Sequence, residues 1–146
     1  MVGMSENLAL VHSIMADWER GDFRFVDWAD PRIEYAIADE PGSRVSWGVA
    51  AMKRTWREFL AAWDDYRVEA REYRELDDER VLVALTAQGR GKVSGLDIGA
   101  TAGGRRSANV FHVRGGKVTR LVSYFDRDRA LADVGLADGE AGQPHR

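Results

Sequence analysis

The sequence predicts an α+β domain in which N-terminal helices pack on the concave side of a curved antiparallel sheet. Apolar residues in the first half recur at spacings of three and four, which is typical of helices that bury one face. The second half has alternating apolar runs and a Gly115-Gly116 pair suited to a tight hairpin. Helices that precede a run of strands favour packing on one side of the sheet. A bent sheet covered in this way leaves a cone-shaped space in which a small molecule can bind.

Three helical segments are predicted in the first half of the chain. Ser5 is a suitable N-cap for the first, whose apolar stripe ends at Gly21. Residues 22–28 are expected to form a second, short helix that stops at Pro31, because proline cannot continue the hydrogen-bond ladder. The third begins at Val49, and its broad apolar stripe consists of Met52, Trp56, Phe59, Leu60 and Trp63.

Strands dominate the rest of the chain. Both faces of residues 80–87 are apolar, so both sides of this strand should be covered. Residues 88–107 contain six glycines and are expected to form two strand ends and a mobile connector, with a lid over the pocket as the alternative. Residues 39–43 are expected to form a loop, and residues 131–136 a closing helical turn. The predicted strands are residues 32–38, 66–76, 80–87, 108–113 and 118–125.

Composition indicates an ordinary globular protein and disfavours several functional classes. The 146 residues include 21 Lys and Arg against 24 Asp and Glu, a formal charge of −3, and the scattered basic residues do not predict a nucleic-acid groove. The sequence has no cysteine, and its three dispersed histidines do not predict a metal site. No apolar run reaches the roughly 20 residues of a membrane span, and the first ten residues do not resemble a secretory signal. We expect one domain over residues 1–136, a flexible tail at 137–146, no cofactor and a cytoplasmic location.

Five local motifs follow one another along the chain. They are Arg20-Gly21-Asp22, Asp30-Pro31-Arg32-Ile33-Glu34, Trp47-Gly48, Arg114-Gly115-Gly116-Lys117-Val118 and Tyr124-Phe125-Asp126-Arg127-Asp128-Arg129-Ala130-Leu131. In this order and spacing, residues 5–136 resemble the SnoaL-like branch of the nuclear transport factor 2-like superfamily. That family includes ketosteroid isomerases, polyketide cyclases, dehydratases, epoxide hydrolases and non-catalytic binding domains, so the resemblance implies a fold and leaves the function open.

The resemblance implies two catalytic candidates, Asp39 and Asn109. Asp39 lies nine residues before Gly48, where the isomerases carry their proton-abstracting aspartate, and a carboxylate bordering an apolar cavity becomes a better base. Asn109 falls where the isomerases carry a protonated aspartate and the cyclases a catalytic one. Its amide can donate a hydrogen bond to an enolate oxygen without giving up a proton. The alternatives are a turn residue at position 39 and an amide bonded to neighbouring backbone at position 109.

Other positions depart from the patterns of the family's enzymes. Ile14 falls where the isomerases carry a hydrogen-bonding tyrosine, which disfavours steroid isomerase activity. The epoxide hydrolases need an Arg-x-Asp pair where this chain has Ser107 and Asn109. The Asp–His pair of the dehydratases has no clear match.

Strand parity predicts the wall of the pocket. If Asn109 points inward, alternate residues on its own and the neighbouring strands do so too, and the helices close the space from the other side. Ile37 has the same strand parity as Asp39 and can also line the pocket. For any single predicted residue, the alternative role is to fill the hydrophobic core. The predicted substrate-binding residues are Ile14, Trp18, Tyr35, Met52, Trp56, Val81, Val83, Leu85, Phe111, Leu121, Ser123 and Phe125.

Three functions remain open. The first is a cofactor-free isomerase, cyclase or lyase in which Asp39 takes a proton next to a carbonyl and Asn109 holds the oxyanion. The second is a non-catalytic pocket for a small apolar or carbonyl-containing molecule. The third is an interaction module that uses the outer sheet face, and this face also predicts a homodimer. Its outward residues are Val110, His112, Val122 and Tyr124.

Overall fold

The computed structural model describes residues 4–39, 44–91, 97–98 and 105–136, and in these it confirms the predicted α+β class. Helices and strands alternate in the first half, and strands dominate the second. In chain order the elements are α1 (Glu6–Glu19), β1 (Ala29–Ile37), β2 (Arg44–Trp47), α2 (Val49–Ala61), β3 (Trp63–Glu75), β4 (Arg80–Gly91), β5 (Asp97–Ile98), β6 (Arg105–Arg114), β7 (Lys117–Tyr124) and α3 (Arg127–Asp133).

The strands form one sheet in the order β2-β1-β7-β6-β4-β3, and β5 pairs with β4. The pairs are antiparallel, as predicted, except for β1 and β7, which run parallel. The register between β1 and β7 shifts between Ala29 and Glu34, and Pro31 lies within this irregular stretch. Proline is tolerated there because a bulge needs no ladder hydrogen bond from it.

The two faces of the sheet bury different residue sets, as parity predicts. Val83 and Phe111 belong to the inner core cluster with the residues of α1, whereas Leu82 and Val110 belong to the outer cluster. Alternation along β4 and β6 places successive side chains on opposite faces. The predicted coverage of both faces of β4 is therefore confirmed.

Helix α3 covers the outer face of the sheet, and this cover was not predicted from the sequence. Ala130 and Leu131 pack against Val110, Val122 and Tyr124, which are at most 7% exposed. The prediction that Val110, Val122 and Tyr124 contribute to an exposed apolar surface is therefore wrong. The Tyr124 hydroxyl also donates to Asp133 Oδ2 of α3 at 3.0 Å.

Residues 22–28 do not form the predicted short helix. The carboxylate of Asp22 accepts the backbone N–H and the guanidinium of Arg24, a local bond that competes with helical hydrogen bonding. The Trp28 indole N–H donates to the carbonyl of Phe25 at 2.9 Å, and Trp28 itself is buried. The side-chain bonds of this segment hold it as an irregular connection between α1 and β1.

Several boundaries differ from the predicted ones. The short strand β2 was not predicted, and the last helix is α3 rather than a turn at 131–136. Asp126 starts α3 because its side chain accepts the N–H of Asp128 at 3.0 Å. β4 and β6 extend into the predicted connector at 88–107, while residues 40–43, 92–96, 99–104 and 137–146 lie outside the described residues.

Glycines at positive φ explain two sharp changes of direction. Gly115 and Gly116, at φ 60° and 79°, form the predicted hairpin turn between β6 and β7. Gly48, at φ 92°, begins α2, and its N–H donates to the carbonyl of Ile33 at 2.7 Å. Within the described residues, none of the three helices has the length and apolar character to cross a membrane.

Candidate functional site

An apolar cavity of about 90 Å³ lies between the inner face of the sheet and the helices α1 and α2. Aromatic rings make up much of its wall, and the polar groups on the wall are hydroxyls and one amide. The lining residues are Trp18, Phe23, Tyr35, Ile37, Thr55, Trp56, Phe59, Leu60, Tyr66, Val68, Leu85, Ser107, Asn109, Ser123, Tyr124 and Phe125.

Half of the predicted site residues line this cavity. Those that do are Trp18, Tyr35, Trp56, Leu85, Asn109, Ser123 and Phe125. Most of the others are at most 1% exposed and fill the hydrophobic core beside the cavity, which was the stated alternative for each of them. These core residues are Ile14, Met52, Val81, Val83, Phe111 and Leu121.

Tryptophan rings limit how far the cavity extends into the cone. The Trp18 ring lies 5.5 Å from the Trp56 ring and 5.8 Å from the Phe111 ring, between centroids. Trp28 packs at 6.1 Å from both other tryptophans. The contacts of Trp18 with Trp56 and with Trp28 are edge-to-face, and this packing fills the space beside the cavity with rings.

Asn109 is the buried amide of the cavity wall. It lies in the middle of β6, between Val83 of β4 and Ser123 of β7, and is 9% exposed. Among the described residues, its carboxamide has no hydrogen-bond partner. Because no described side-chain nitrogen or oxygen is both sealed from solvent and unpartnered, this amide must face the open space of the cavity. Asn109 thus lies on the face of β6 that strand parity assigns to the pocket.

Hydroxyl groups surround the amide on neighbouring strands. Tyr35 Oη and Ser123 Oγ are 3.1 Å apart and share a hydrogen bond. Ser107 Oγ donates to the carbonyl of Phe125 at 3.2 Å. Burial raises the pKa of Tyr66 well above its usual range, and the nearby Tyr35 adds to the rise. Tyr66 therefore stays protonated and can donate a hydrogen bond.

Asp39 does not line the cavity, contrary to the prediction. Its Oδ1 accepts the N–H of Phe125 at 2.9 Å, and its Oδ2 accepts the N–H of Asp126 at 2.8 Å. β1 ends at Ile37, so the strand alternation that predicts an inward Asp39 no longer applies two residues later. The carboxylate instead lies in a neighbouring cleft and ties the end of β1 to the start of α3.

The cavity can therefore form hydrogen bonds but offers no strong base. No aspartate, glutamate or histidine lines it among the described residues. The same part of the chain contains no cluster of three or more histidine, aspartate or glutamate side chains that could hold a metal ion. Asn109 and the hydroxyls are neutral donors and acceptors, and this set suits the orientation of a bound polar atom.

Several residues in the outer part of the cavity wall were not predicted from the sequence. Phe59 and Leu60 lie on the predicted apolar stripe of α2, so the helical period could have assigned them to the cavity. Tyr66 and Val68 begin the long strand β3, and only the sheet order shows that this strand bounds the mouth. Phe23 is placed by the irregular segment that was predicted as a helix. The remaining unpredicted lining residues are Thr55, Ser107 and Tyr124.

Neither a protein-family model nor a curated protein matches the sequence. Solved structures match the fold closely. TerC, crystallised with polyporic acid, aligns with a TM-score of 0.69 and 20% identity over 89% of this chain and 98% of its own. A protein of unknown function from Burkholderia pseudomallei, described as nuclear transport factor 2-like, aligns with a TM-score of 0.71 and 17% identity over 90% and 99%.

A candidate SnoaL-like polyketide cyclase from Mesorhizobium loti aligns with a TM-score of 0.64 and 15% identity over 80% of this chain and 96% of its own. These identities are too low to transfer a function, but the alignments span nearly the whole of each matched chain. The resemblance inferred from the five sequence motifs is therefore confirmed for the architecture. This chain has the nuclear transport factor 2-like fold that SnoaL-like proteins share.

Proposed function

We propose that this protein binds a small, flat, mainly apolar molecule in the cavity and orients it through the Asn109 carboxamide. The observation that carries the proposal is the unpartnered amide on an aromatic wall. The amide faces the open space of the cavity, so a ligand carbonyl or hydroxyl that enters can bond to it directly.

The size of the cavity limits the ligand. An apolar cavity of roughly 150 Å³ in another protein holds one benzene ring, and this one is smaller, at about 90 Å³. One aromatic ring therefore fits when the mouth widens. α2 borders the open side of the cavity through Trp56, Phe59 and Leu60, and Met52 is its one fully buried side chain.

The geometry favours binding over the predicted isomerase, cyclase or lyase chemistry. Proton abstraction needs a base within hydrogen-bond reach of the ligand. Asp39 is directed at two backbone amides instead, and neutral Asn109 cannot take its place. TerC, which shares the fold, was crystallised with the small molecule polyporic acid, and this supports a small-molecule ligand here.

A matched pair of ligands tests the role of the amide. Acetophenone presents a carbonyl to Asn109, whereas ethylbenzene has the same ring and no polar atom. We expect acetophenone to bind more tightly by calorimetry, and Asn109→Leu to weaken its binding about tenfold. The same substitution should leave ethylbenzene binding equal or stronger.

Two results would count against the proposal. One is the failure of both ligands to bind at millimolar concentration to the unmodified protein. The other is unchanged acetophenone affinity in the Asn109→Leu variant. Mass spectrometry of small molecules that co-purify with the full chain identifies the natural ligand independently, and the Asn109→Leu protein should retain less of it.

A further inference from the structure

A second depression adjoins the cavity and shares one wall with it. This open cleft, here called the arginine cleft, is lined by Asp39, Arg105, Arg106, Phe125, Asp126 and Arg129. Phe125 lines both spaces, so the cleft adjoins the apolar cavity at this residue. The Phe125 ring stacks on Phe59 of α2 at 5.9 Å between centroids.

Most charged side chains of the arginine cleft have an ion-pair or hydrogen-bond partner. Arg106 is 3.6 Å from Asp128, and Arg129 is 3.2 Å from Asp133. The two carboxylates in the cleft, Asp39 and Asp126, accept backbone N–H groups.

Arg105 differs from its neighbours. Among the described residues it has no salt bridge and no hydrogen-bonded side-chain partner, and its side chain is exposed. An exposed guanidinium without an anion is a ready site for a carboxylate or a similar planar anion.

Arg105 lies on the same side of β6 as the cavity. It pairs in register with Ala87, a residue of the inner core, and shares the parity of Ser107 and Asn109, which line the cavity. Its positive charge also opposes, in small part, the rise that burial causes in the pKa of Tyr66, which lines the cavity. β6 therefore carries the Asn109 amide, the Ser107 hydroxyl and the Arg105 guanidinium at alternate positions, from the interior of the cavity to its mouth.

We propose that the natural ligand is an amphipathic aromatic anion whose ring occupies the cavity and whose anionic group reaches Arg105. This inference rests on the proposed function, because it extends the same site. Asn109 and Arg105 are four residues apart on one strand, so their Cα atoms are about 13 Å apart. The long side chain of Arg105 can reach toward the cavity, which shortens the distance between its guanidinium and the Asn109 amide. A ligand with one ring and a chain of two or three carbons can span that distance.

The test uses 3-(4-acetylphenyl)propanoate and its primary amide. Both carry the ketone for Asn109, and they differ in one negative charge at the end of the chain. Calorimetry on the full chain should show the carboxylate binding about fivefold more tightly than the amide at low salt. High salt should reduce this preference, because it screens exposed charges.

Arg105→Gln should abolish the preference for the carboxylate and leave the affinity for the amide unchanged. Arg114→Gln is the matched control, since Arg114 is an exposed arginine at the opposite end of β6, and it should change neither affinity. Equal binding of carboxylate and amide to the unmodified protein would overturn this inference while the proposed function stands. Binding of neither compound, nor of acetophenone, would overturn both.

Discussion

The carboxylate of Asp39 accepts the backbone N–H of Phe125 at 2.9 Å, across 86 residues of sequence. A second bond, from the N–H of Asp126 at 2.8 Å, completes a bidentate clasp between the end of β1 and the start of α3. Since Phe125 lines both the cavity and the arginine cleft, these two bonds hold its backbone at the junction of the two spaces. Asp39 therefore shapes the site from outside it.

Replacement of Asp39 by Asn should destabilise the protein without removing ligand binding. The asparagine keeps one acceptor oxygen and loses the charge and the second acceptor, so we expect the free energy of unfolding to fall by about 1–2 kcal/mol. Urea denaturation measures the change. Asp64→Asn is a suitable control, because Asp64 is an exposed carboxylate of β3. Full stability of Asp39→Asn together with loss of a turnover activity would restore Asp39 as a catalytic base.

The parts of the fold that follow from local periodicity were predicted well. The alternation of Val83 with Leu82 and Ala84 assigns each side chain of β4 to the correct face, because the period of a strand is fixed by its geometry. The same argument places Asn109 inward. Helix α2 is predicted from its apolar stripe for the same reason.

The parts that depend on distant contacts were not predicted. The direction of Asp39 is decided by two amides far along the chain, beyond the end of the strand whose parity was used. Helix α3 covers Val110 by packing against it through Ala130 and Leu131, and the sequence pattern of β6 does not predict this contact. Tertiary packing decides both cases.

Asn109→Leu should make the ligand-free protein more stable. The amide faces an aromatic wall without a described protein partner, and leucine has a similar volume and adds apolar contact with that wall. We expect the free energy of unfolding to rise by about 1 kcal/mol in thermal or urea denaturation. Val83→Ala, which removes apolar volume from the adjacent position on β4, should lower stability instead. A less stable Asn109→Leu protein would mean that the amide is satisfied in the native state.

Stability should fall as the pH drops below about 6.5, and His112 is one cause. Burial lowers the pKa of His112, and the charges of Arg120 and Arg80 lower it further, while Asp77 and Glu34 oppose them. In the window between this lowered pKa and about 6.5, the unfolded chain binds a proton that the folded chain does not, so acid favours unfolding. His112→Asn should flatten this part of a pH–stability curve measured by urea denaturation. An NMR titration that finds the imidazole pKa at or above its usual value would contradict the assignment.

Truncation of Phe59 should change which ligands enter the cavity. Its ring contacts those of Tyr66 and Phe125 at the mouth, with centroids 5.1 and 5.9 Å away, and it is half-buried. Phe59→Ala removes this barrier, so we expect 2-acetylnaphthalene to bind more tightly relative to acetophenone than it does to the unmodified protein. The free energy of unfolding should fall by about 2 kcal/mol, less than for a fully buried phenylalanine. Phe25→Ala is the control, because Phe25 is 58% exposed and lies outside the cavity wall, and it should leave the ligand preference unchanged. If both variants show the same preference for the two ketones, Phe59 does not limit entry, and the mouth of the cavity lies elsewhere.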